Sequence, residues 1–235
     1  GNILYTPRPS EFISIQHGYI IAVDGVVVYC GESIPPAYAD CEVTDYGDNL
    51  IIPGFVDTHA HAPQYCNRGL GMDKELLPWL ETYTFPEEAK FSDSDYARLV
   101  YGAFVQDLWR NGTTRSILFG TIHKESTLVL MELLQKAGLS AYVGKVNMDR
   151  NSPEFLSEKT QQSLIDTKEW LDASLQFGPL VKPIITPRFV PSCTSELMSG
   201  LGKLAEEYNV PIQSHLSENH GEIDWVASLH PESPN

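Results

Sequence analysis

The sequence has few basic residues and gathers none of them into a patch. Sixteen Lys and Arg stand against thirty-one Asp and Glu, which gives a formal net charge of −15 at pH 7. A protein that follows a nucleic-acid backbone needs clustered cations to neutralise the phosphates. The composition therefore predicts that polymeric nucleic acid is not a partner. The acidic excess by itself favours solubility and does not indicate a cationic substrate.

Paired cysteines and long apolar runs are also missing. The cysteines are Cys30, Cys41, Cys66 and Cys193. They form no CxxC pair or regular framework, so we expect free thiols in a reducing compartment. The apolar stretch "YIIAVDGVVVY" is interrupted by Asp24 and Gly25 and is too short to cross a bilayer. Because no charged start precedes an apolar signal core either, we expect a cytoplasmic protein without a membrane partner.

The first 50 residues consist of short apolar segments separated by turn residues. We expect strands over 1–6, 18–23 and 26–31, with Asp24-Gly25 as a two-residue turn, before the proline-rich "SIPPAYADCE". This pattern predicts a small β module over residues 1–50. From residue 51 the pattern becomes apolar strand, loop and amphipathic helix, repeated, so residues 51–235 are predicted to form a second domain.

Five strand and helix pairs follow in residues 51–235. The strands are expected at 51–61, 113–120, 140–148, 181–189 and 210–218, and the helices at 92–111, 125–136, 157–175, 194–209 and 221–229. In the first helix, one apolar face is predicted to carry Leu99, Val100, Ala103, Phe104 and Leu108. The stretch 66–91 is too long for a plain connection, and it is either a lid containing Trp79 and Tyr83 or a surface excursion packed on the β module.

Strands that alternate with helices predict right-handed βαβ units on a parallel sheet, in a barrel or in an open doubly wound sheet. The first strand of residues 51–235 is followed by no GxGxxG and no GxxxxGK[ST], so a nucleotide-phosphate site is not supported. We therefore predict an α/β fold, a (β/α)8 TIM-type barrel with about five β/α units present. Active sites of such barrels lie at the carboxyl ends of the strands.

Histidines occupy two of those strand ends. His59 and His61 are two apart on a strand, so their side chains point to the same face, and His215 ends the predicted fifth strand. Three neutral imidazoles suit a zinc-like ion that keeps one position open for water. Glu218, three residues further on, is placed to move protons, the role that zinc deaminases give to a glutamate outside the ligand set. Together these residues predict a hydrolytic reaction.

Each histidine also has a simpler interpretation. A bare H-x-H pair is usually not a metal site, and a single His215 is more often a hydrogen-bonded core or surface residue. The metal interpretation is favoured because unrelated histidines have no reason to converge on one barrel mouth. His123 also follows a strand, and there a loop or supporting role is expected. No role is assigned to the three remaining histidines, His17, His220 and His230.

Three further side chains suit a planar heterocycle with carbonyl and amide edges. Gln64 presents a hydrogen-bond donor and an acceptor, Arg188 a planar fork of donors, and Phe189 a stacking face. An ion pair with a carboxylate is an equally good interpretation of Arg188.

Five segments carry a resemblance to a known family. The chain resembles the guanine deaminases of the amidohydrolase superfamily in "PGFVDTHAHAPQY", "NGTTRSILFGTIH", "VGKVNMDRN", "VKPIITPRFVPSC" and "IQSHLSEN". The likeness runs through essentially the whole chain, including "LPWLETYTFPEE". The VDxHxH opening is shared by many hydrolases of the superfamily, and H-A-P-Q with P-R-F narrows the resemblance to this family.

The resemblance implies hydrolysis of guanine to xanthine and ammonia by a homodimer that holds one zinc per chain. The implied roles are zinc binding by His59, His61 and His215, proton transfer by Glu218, and guanine binding by Gln64, Arg188 and Phe189. In this family a further histidine follows the sixth strand, and an aspartate after the eighth strand binds the metal and takes the proton from its water. Residues 51–235 contain neither, and they are fewer than the roughly 250 typical of an eight-unit barrel. We therefore expect an N-terminal fragment that does not deaminate guanine by itself.

Two other functions fit the same residues. One is an amidohydrolase that deaminates a different purine, pyrimidine or triazine, which a substrate panel would separate from guanine deamination. The other is a catalytically dead fragment that binds metal or a partner without turnover. A reading frame that continues beyond Asn235 through a G-T-D type segment argues against that second alternative.

Overall fold

The computed structural model describes residues 1–232, which fall into two compact units, Gly1–Gly54 and Phe55 onward. The division lies shortly after residue 50, the predicted domain boundary, because Ile51 pairs with Ile3 inside the first unit. Each unit is built from its own sheets.

The first unit contains five short strands. They are β1 (Asn2–Arg8), β2 (Glu11–Ile15), β3 (Tyr19–Val23), β4 (Val26–Gly31) and β5 (Leu50–Ile51). One sheet has the order β2-β1-β5, and β3 and β4 form an antiparallel hairpin. The predicted turn is confirmed: Asp24 and Gly25 have φ values of 51° and 78°, the left-handed conformations that a tight hairpin of this twist requires. Sequence patterns missed two strands. In β2 an exposed Phe12 stands beside polar residues, and β5 has only two residues.

The second unit is built on a parallel sheet. Its strands are β6 (Phe55–His61), β7 (Thr113–Phe119), β8 (Ser140–Gly144), β9 (Val146–Asn147), β10 (Val181–Pro183) and β11 (Thr186–Pro187). The neighbours run in the order β6, β7, β8, β10, and β9 pairs with β11 where the chain continues beyond β8 and β10. Because each strand lies beside its predecessor, the sheet grows in one direction, as in a barrel. A doubly wound sheet would reverse its order.

The fifth predicted strand, 210–218, is not a regular strand. The segment runs parallel to its neighbour, but its backbone pairing consists of the isolated bridges Ile185 to Ile212 and Phe189 to His215. Pro211 has no N–H to donate, so a continuous ladder cannot form there. The segment still carries His215 to the carboxyl end of the sheet.

Among residues 55–232, seven α-helices lie between or after the strands. They are α1 (Leu76–Trp79), α2 (Phe85–Ala89), α3 (Ser94–Arg110), α4 (Lys124–Ala137), α5 (Thr160–Ser174), α6 (Ser195–Tyr208) and α7 (His220–Leu229). Local chemistry sets their ends: the Asp93 side chain caps α3, Thr194 caps α6, and Gly138, at φ 69°, ends α4. Within residues 1–232, none of the helices combines the length and apolar character of a membrane span.

The helices cover one side of the sheet in sequence. Helix α3 packs on α4, α4 on α5 and α5 on α6. Leu118 and Val143 of the sheet and Leu130, Met131 and Trp170 of the helices are fully buried in the core between the layers. The prediction for Leu99 was wrong, since it is 73% exposed, while Val100 and its apolar neighbours on α3 face the core. The result is the expected partial (β/α) barrel.

Candidate active site

Three histidine side chains meet at the carboxyl ends of the strands. His59 and His61 end β6 and project to the same face, with ring centroids 5.3 Å apart. His215 lies opposite, 4.9 Å from each ring. The three imidazoles offer ligand nitrogens that all lie within 4.8 Å of one another. The sequence predicted these residues as one cluster, and the fold brings them together.

The backbone of Arg188 orients His215. Nδ1 of His215 lies 2.7 Å from the Arg188 carbonyl oxygen, and the backbone N–H of His215 donates to the same oxygen at 3.0 Å. Because a carbonyl only accepts, Nδ1 carries the proton and Nε2 presents its lone pair. This is the arrangement in which a histidine ligates a metal.

His61 shows that the donor set fits a cation. Its Nε2 lies 2.9 Å from Nε2 of His215, and its buried Nδ1 has no hydrogen-bond partner among the described residues. Burial, together with the positive charge of Arg188, holds the pKa of His61 well below its usual value, and burial lowers the pKa of His215 to about 4. Both rings are therefore neutral, and converging neutral imidazoles suit a zinc-like ion.

Glu218 lies on the loop that follows His215. Ser217 adopts a left-handed conformation, at φ 54°, where the chain turns back toward α7. The buried carboxylate of Glu222 accepts the backbone N–H groups of Ser217 and Glu218, the latter at 2.6 Å, and so holds the turn. Burial and the nearby charge of Glu222 raise the pKa of Glu218, which suits a group that accepts and returns a proton.

Gln64 and Arg188 are joined by a residue that the sequence did not single out. The Glu88 carboxylate accepts a 3.2 Å hydrogen bond from Gln64 Nε2 and lies 2.6 Å from Arg188 Nη1. The ion-pair interpretation of Arg188 is confirmed by this buried pair with Glu88, and Arg188 also lines the cavity beside the histidines. Phe189 packs edge-on against Trp225 of α7, with ring centroids 6.3 Å apart.

All seven predicted site residues line one cavity of about 230 Å³. The residues that line it are His59, His61, Gln64, Leu76, Trp79, Leu80, Arg188, Phe189, His215 and Glu218. The segment 66–91 contributes Leu76, Trp79 and Leu80, so it forms a wall of this cavity. In that segment the indole of Trp79 donates to the backbone oxygen of Leu70 at 3.0 Å.

Besides Leu76 and Leu80 of segment 66–91, sequence reasoning missed four residues of the site. They are Glu88, Phe119, Glu222 and Trp225. Phe119 ends β7 and stacks on His61 with ring centroids 4.5 Å apart, so its position at a strand end was a usable signal. Glu88 and Glu222 gave no such signal, because nothing in an acidic helical turn shows that its carboxylate is buried. His123 lies outside the histidine cluster, and its Nε2 is buried without a partner among the described residues.

The chain matches known proteins over nearly all of its length. Residues 50–234 match the model of the amidohydrolase family. The chain belongs to the amidohydrolase family. A guanine deaminase of Dictyostelium discoideum is 55% identical over 190 residues, which is 80% of this chain and 42% of the relative. The chain thus spans about half the length, or less, of such curated relatives.

Solved structures superpose on nearly the whole chain. A guanine deaminase from C. acetobutylicum, with guanine bound in its active site, is 52% identical and superposes with a TM-score of 0.96. The match covers 99% of this chain and 56% of that one. An adenosine deaminase from Xanthomonas campestris with bound zinc has a TM-score of 0.77 over 99% of this chain and 52% of its own. At 19% identity, that second likeness shows the fold alone.

Proposed function

We propose that the natural polypeptide carrying this chain deaminates guanine by hydrolysis, giving xanthine and ammonia, in purine catabolism or salvage. The observation that supports the proposal is the convergence of three histidines, one glutamate and a heterocycle-binding set on one cavity. The guanine seen in a relative that is 52% identical supports the choice of substrate.

One zinc per chain is proposed to bind His59, His61 and His215. When bound there, zinc supplies Lewis acidity and a water of lowered pKa. The 2.7 Å contact between His215 and the Arg188 carbonyl oxygen fixes the tautomer that ligates. The three imidazoles that converge within 4.8 Å of one another support the choice of metal.

The side chains of the cavity are proposed to bind and orient the base. Phe189, fixed by Trp225, offers its face to the ring, and Arg188 directs N–H groups at the carbonyl oxygen. Gln64 bonds an edge of the base through its amide. Holding the ring in one plane brings the carbon that carries the amino group toward the histidines.

Glu218 is proposed to move the proton. Water adds to the ring carbon that carries the amino group, Glu218 takes a proton from that water, and it delivers the proton to the departing nitrogen. The carbon–nitrogen bond then breaks and ammonia leaves. The raised pKa of Glu218 makes it a better proton donor near neutral pH than an exposed glutamate.

The test is an assay of the natural polypeptide with zinc and guanine, in which xanthine is measured by chromatography and ammonia by a coupled reaction. Adenine, cytosine and an aminotriazine serve as control substrates. We expect the highest kcat/KM for guanine and equal amounts of xanthine and ammonia. A higher kcat/KM for one of the control substrates would contradict the assignment of guanine.

The organisation of the protein is part of the proposal. We propose that residues 1–50 form a small β module and residues 51–235 the N-terminal part of the barrel. The natural protein is proposed to be a cytoplasmic homodimer. Sedimentation equilibrium and cell fractionation of the natural protein test these two assignments.

A further inference from the structure

Glu88 lies behind the substrate cavity and hydrogen-bonds two of the side chains that line it. It belongs to α2 and is only 1% exposed, and it is not among the residues that line the cavity. Its Oε2 lies 2.6 Å from Arg188 Nη1, and its Oε1 accepts from Gln64 Nε2 at 3.2 Å. One carboxylate therefore anchors two side chains that reach the cavity from elements far apart in the sequence.

The charge of Glu88 follows from its partner. A guanidinium does not lose its proton in a protein, and the side chains of Arg188 and Glu88 are only 3% and 1% exposed. A buried cation without a counter-ion is strongly unfavourable, so Glu88 is held as a carboxylate. An ionised carboxylate has no hydrogen to donate and can only accept.

This restricts the amide of Gln64 to one orientation. The amide oxygen and nitrogen of a glutamine differ little in shape, so their placement has to be derived from hydrogen bonding. Because Glu88 can only accept, Gln64 has to turn its NH₂ group toward it, which leaves the amide oxygen as the free end. No residue among 1–232 donates to that oxygen.

We propose that Glu88 is a positioning residue that sets the hydrogen-bond polarity of the substrate cavity. Glu88 makes the amide oxygen of Gln64 an acceptor that faces the cavity, and it leaves the remaining N–H groups of Arg188 as donors. The ligand class selected is a planar ring with an N–H toward Gln64 and a carbonyl oxygen toward Arg188, that is, a cyclic amide. This inference rests on the proposed function for its substrate, guanine, but the anchoring by Glu88 can be tested separately.

The chain offers a matched control in the preceding residue. Glu87 lies on the same helix, is 6% exposed, and pairs with Lys90 at 2.6 Å and with the hydroxyl of Tyr96. It has no hydrogen bond to Gln64 or Arg188. Glu87→Gln therefore removes a buried carboxylate of the same helix without touching the cavity walls.

The decisive variant is Glu88→Gln. Its amide oxygen still accepts from Arg188, so its NH₂ group faces Gln64 and forces that amide to rotate, which turns a donor into the cavity. We expect the dissociation constant of guanine to rise roughly 10- to 100-fold, the effect of mispairing a buried hydrogen bond. Glu87→Gln is expected to stay within twofold of the unchanged protein. The double variant Gln64→Glu with Glu88→Gln restores an acceptor at the cavity. Its dissociation constant for guanine is expected to be at least tenfold lower than that of Glu88→Gln alone.

A spectroscopic measurement separates this inference from the proposed function. In the ¹⁵N-labelled natural polypeptide, we expect the Gln64 side-chain amide protons to be shifted downfield and to exchange slowly, because they bond a carboxylate. In Glu88→Gln that signature is lost, and in Glu87→Gln it is retained. If the unchanged protein neither binds nor converts guanine while the signature behaves as expected, the proposed substrate is wrong and the role of Glu88 stands.

The opposite results would overturn the role of Glu88. Fast exchange of the Gln64 amide protons in the unchanged protein would contradict the role of Glu88, even if Glu88→Gln did not fold. Unchanged guanine affinity and unchanged Gln64 signals in Glu88→Gln would also contradict it. So would a loss of guanine affinity in Glu87→Gln equal to that in Glu88→Gln.

Discussion

His61 and His215 are 154 positions apart in the chain, yet their Nε2 atoms lie 2.9 Å apart. The rings are stacked, with an interplanar angle of 17° and centroids 4.9 Å apart. The sheet brings these two distant residues together. Its neighbouring strands are β6, β7, β8 and β10, followed by the segment that carries His215. Two neutral ring nitrogens facing each other at this distance cannot both be acceptors without a shared proton or a shared cation.

Loss of one histidine is expected to remove the metal. We expect His61→Ala to weaken zinc binding by more than the roughly 10- to 100-fold that loss of an outer hydrogen-bond partner costs. The measurement is zinc per chain after dialysis against a weak chelator, by plasma mass spectrometry. His17→Asn is the matched control, because His17 is exposed and asparagine tolerates its φ of 50°. Equal zinc content in both variants would exclude His61 as a ligand.

Replacement of Glu218 is expected to affect turnover and to spare binding. In the natural polypeptide, Glu218→Gln removes the proton carrier and keeps the shape of the side chain, so kcat for guanine should fall by roughly 10²- to 10⁴-fold. Zinc content and KM should change little, since the residue is not a proposed ligand. Glu206→Gln, at an exposed position of α6, is the control in steady-state kinetics. A kcat unchanged by Glu218→Gln would assign proton transfer to another group.

Two glycines are expected to respond in opposite directions to replacement by alanine. At Gly144, the end of β8, a Cβ would collide with Thr186 Oγ1 and lie 2.8 Å from the backbone oxygen of Ile184, so Gly144→Ala should destabilise the fold by about 1–3 kcal/mol. At Gly102 in α3, a Cβ meets no atom within 4 Å, and Gly102→Ala should stabilise by about 0.5–1 kcal/mol. Urea unfolding of both variants measures the difference. Similar midpoints for the two would contradict the close packing at Gly144.

Cys193 is expected to resist alkylation in the folded protein. Burial raises its pKa to about 11, above the usual thiol value of 9.0, and its Sγ donates to the Asn147 backbone oxygen at 3.2 Å. At pH 8, iodoacetamide should label the exposed Cys41 and Cys66 and spare Cys193 until the chain is unfolded, as measured by peptide mass spectrometry. Labelling of Cys193 as fast as Cys41 would contradict its burial.

The raised pKa of Cys193 also predicts how the free energy of unfolding depends on pH. The folded state favours the protonated thiol of Cys193, because its pKa there is raised to about 11 from 9.0. This contribution is fully present below pH 9 and is lost as the pH rises from about 9 to 11. Cys193→Ser should flatten the decline of the unfolding free energy over that window, and an unchanged slope would contradict the assignment.

Local sequence rules accounted for most of the elements in the second unit. The Asp93 and Thr194 caps and the glycine at 138 mark helix ends because their chemistry acts within a few residues. The prediction for Leu99 failed because a helix with apolar residues on several faces does not reveal which face its neighbour will cover. The prediction of a regular strand over 210–218 was wrong, and Pro211, which has no N–H for a ladder, was a sequence signal against it.

By itself, the sequence determined which side chains could share a face: His59 and His61 project together because a strand repeats every two residues. It also determined the βαβ order, which places strand ends at one edge. Only the tertiary structure decided that Glu88 joins Gln64 to Arg188, that Glu222 holds the Glu218 turn, and that Phe119 stacks on His61. These contacts connect residues whose meeting depends on how strands and helices pack, and an acidic residue carries no local signal of the partner that will neutralise it.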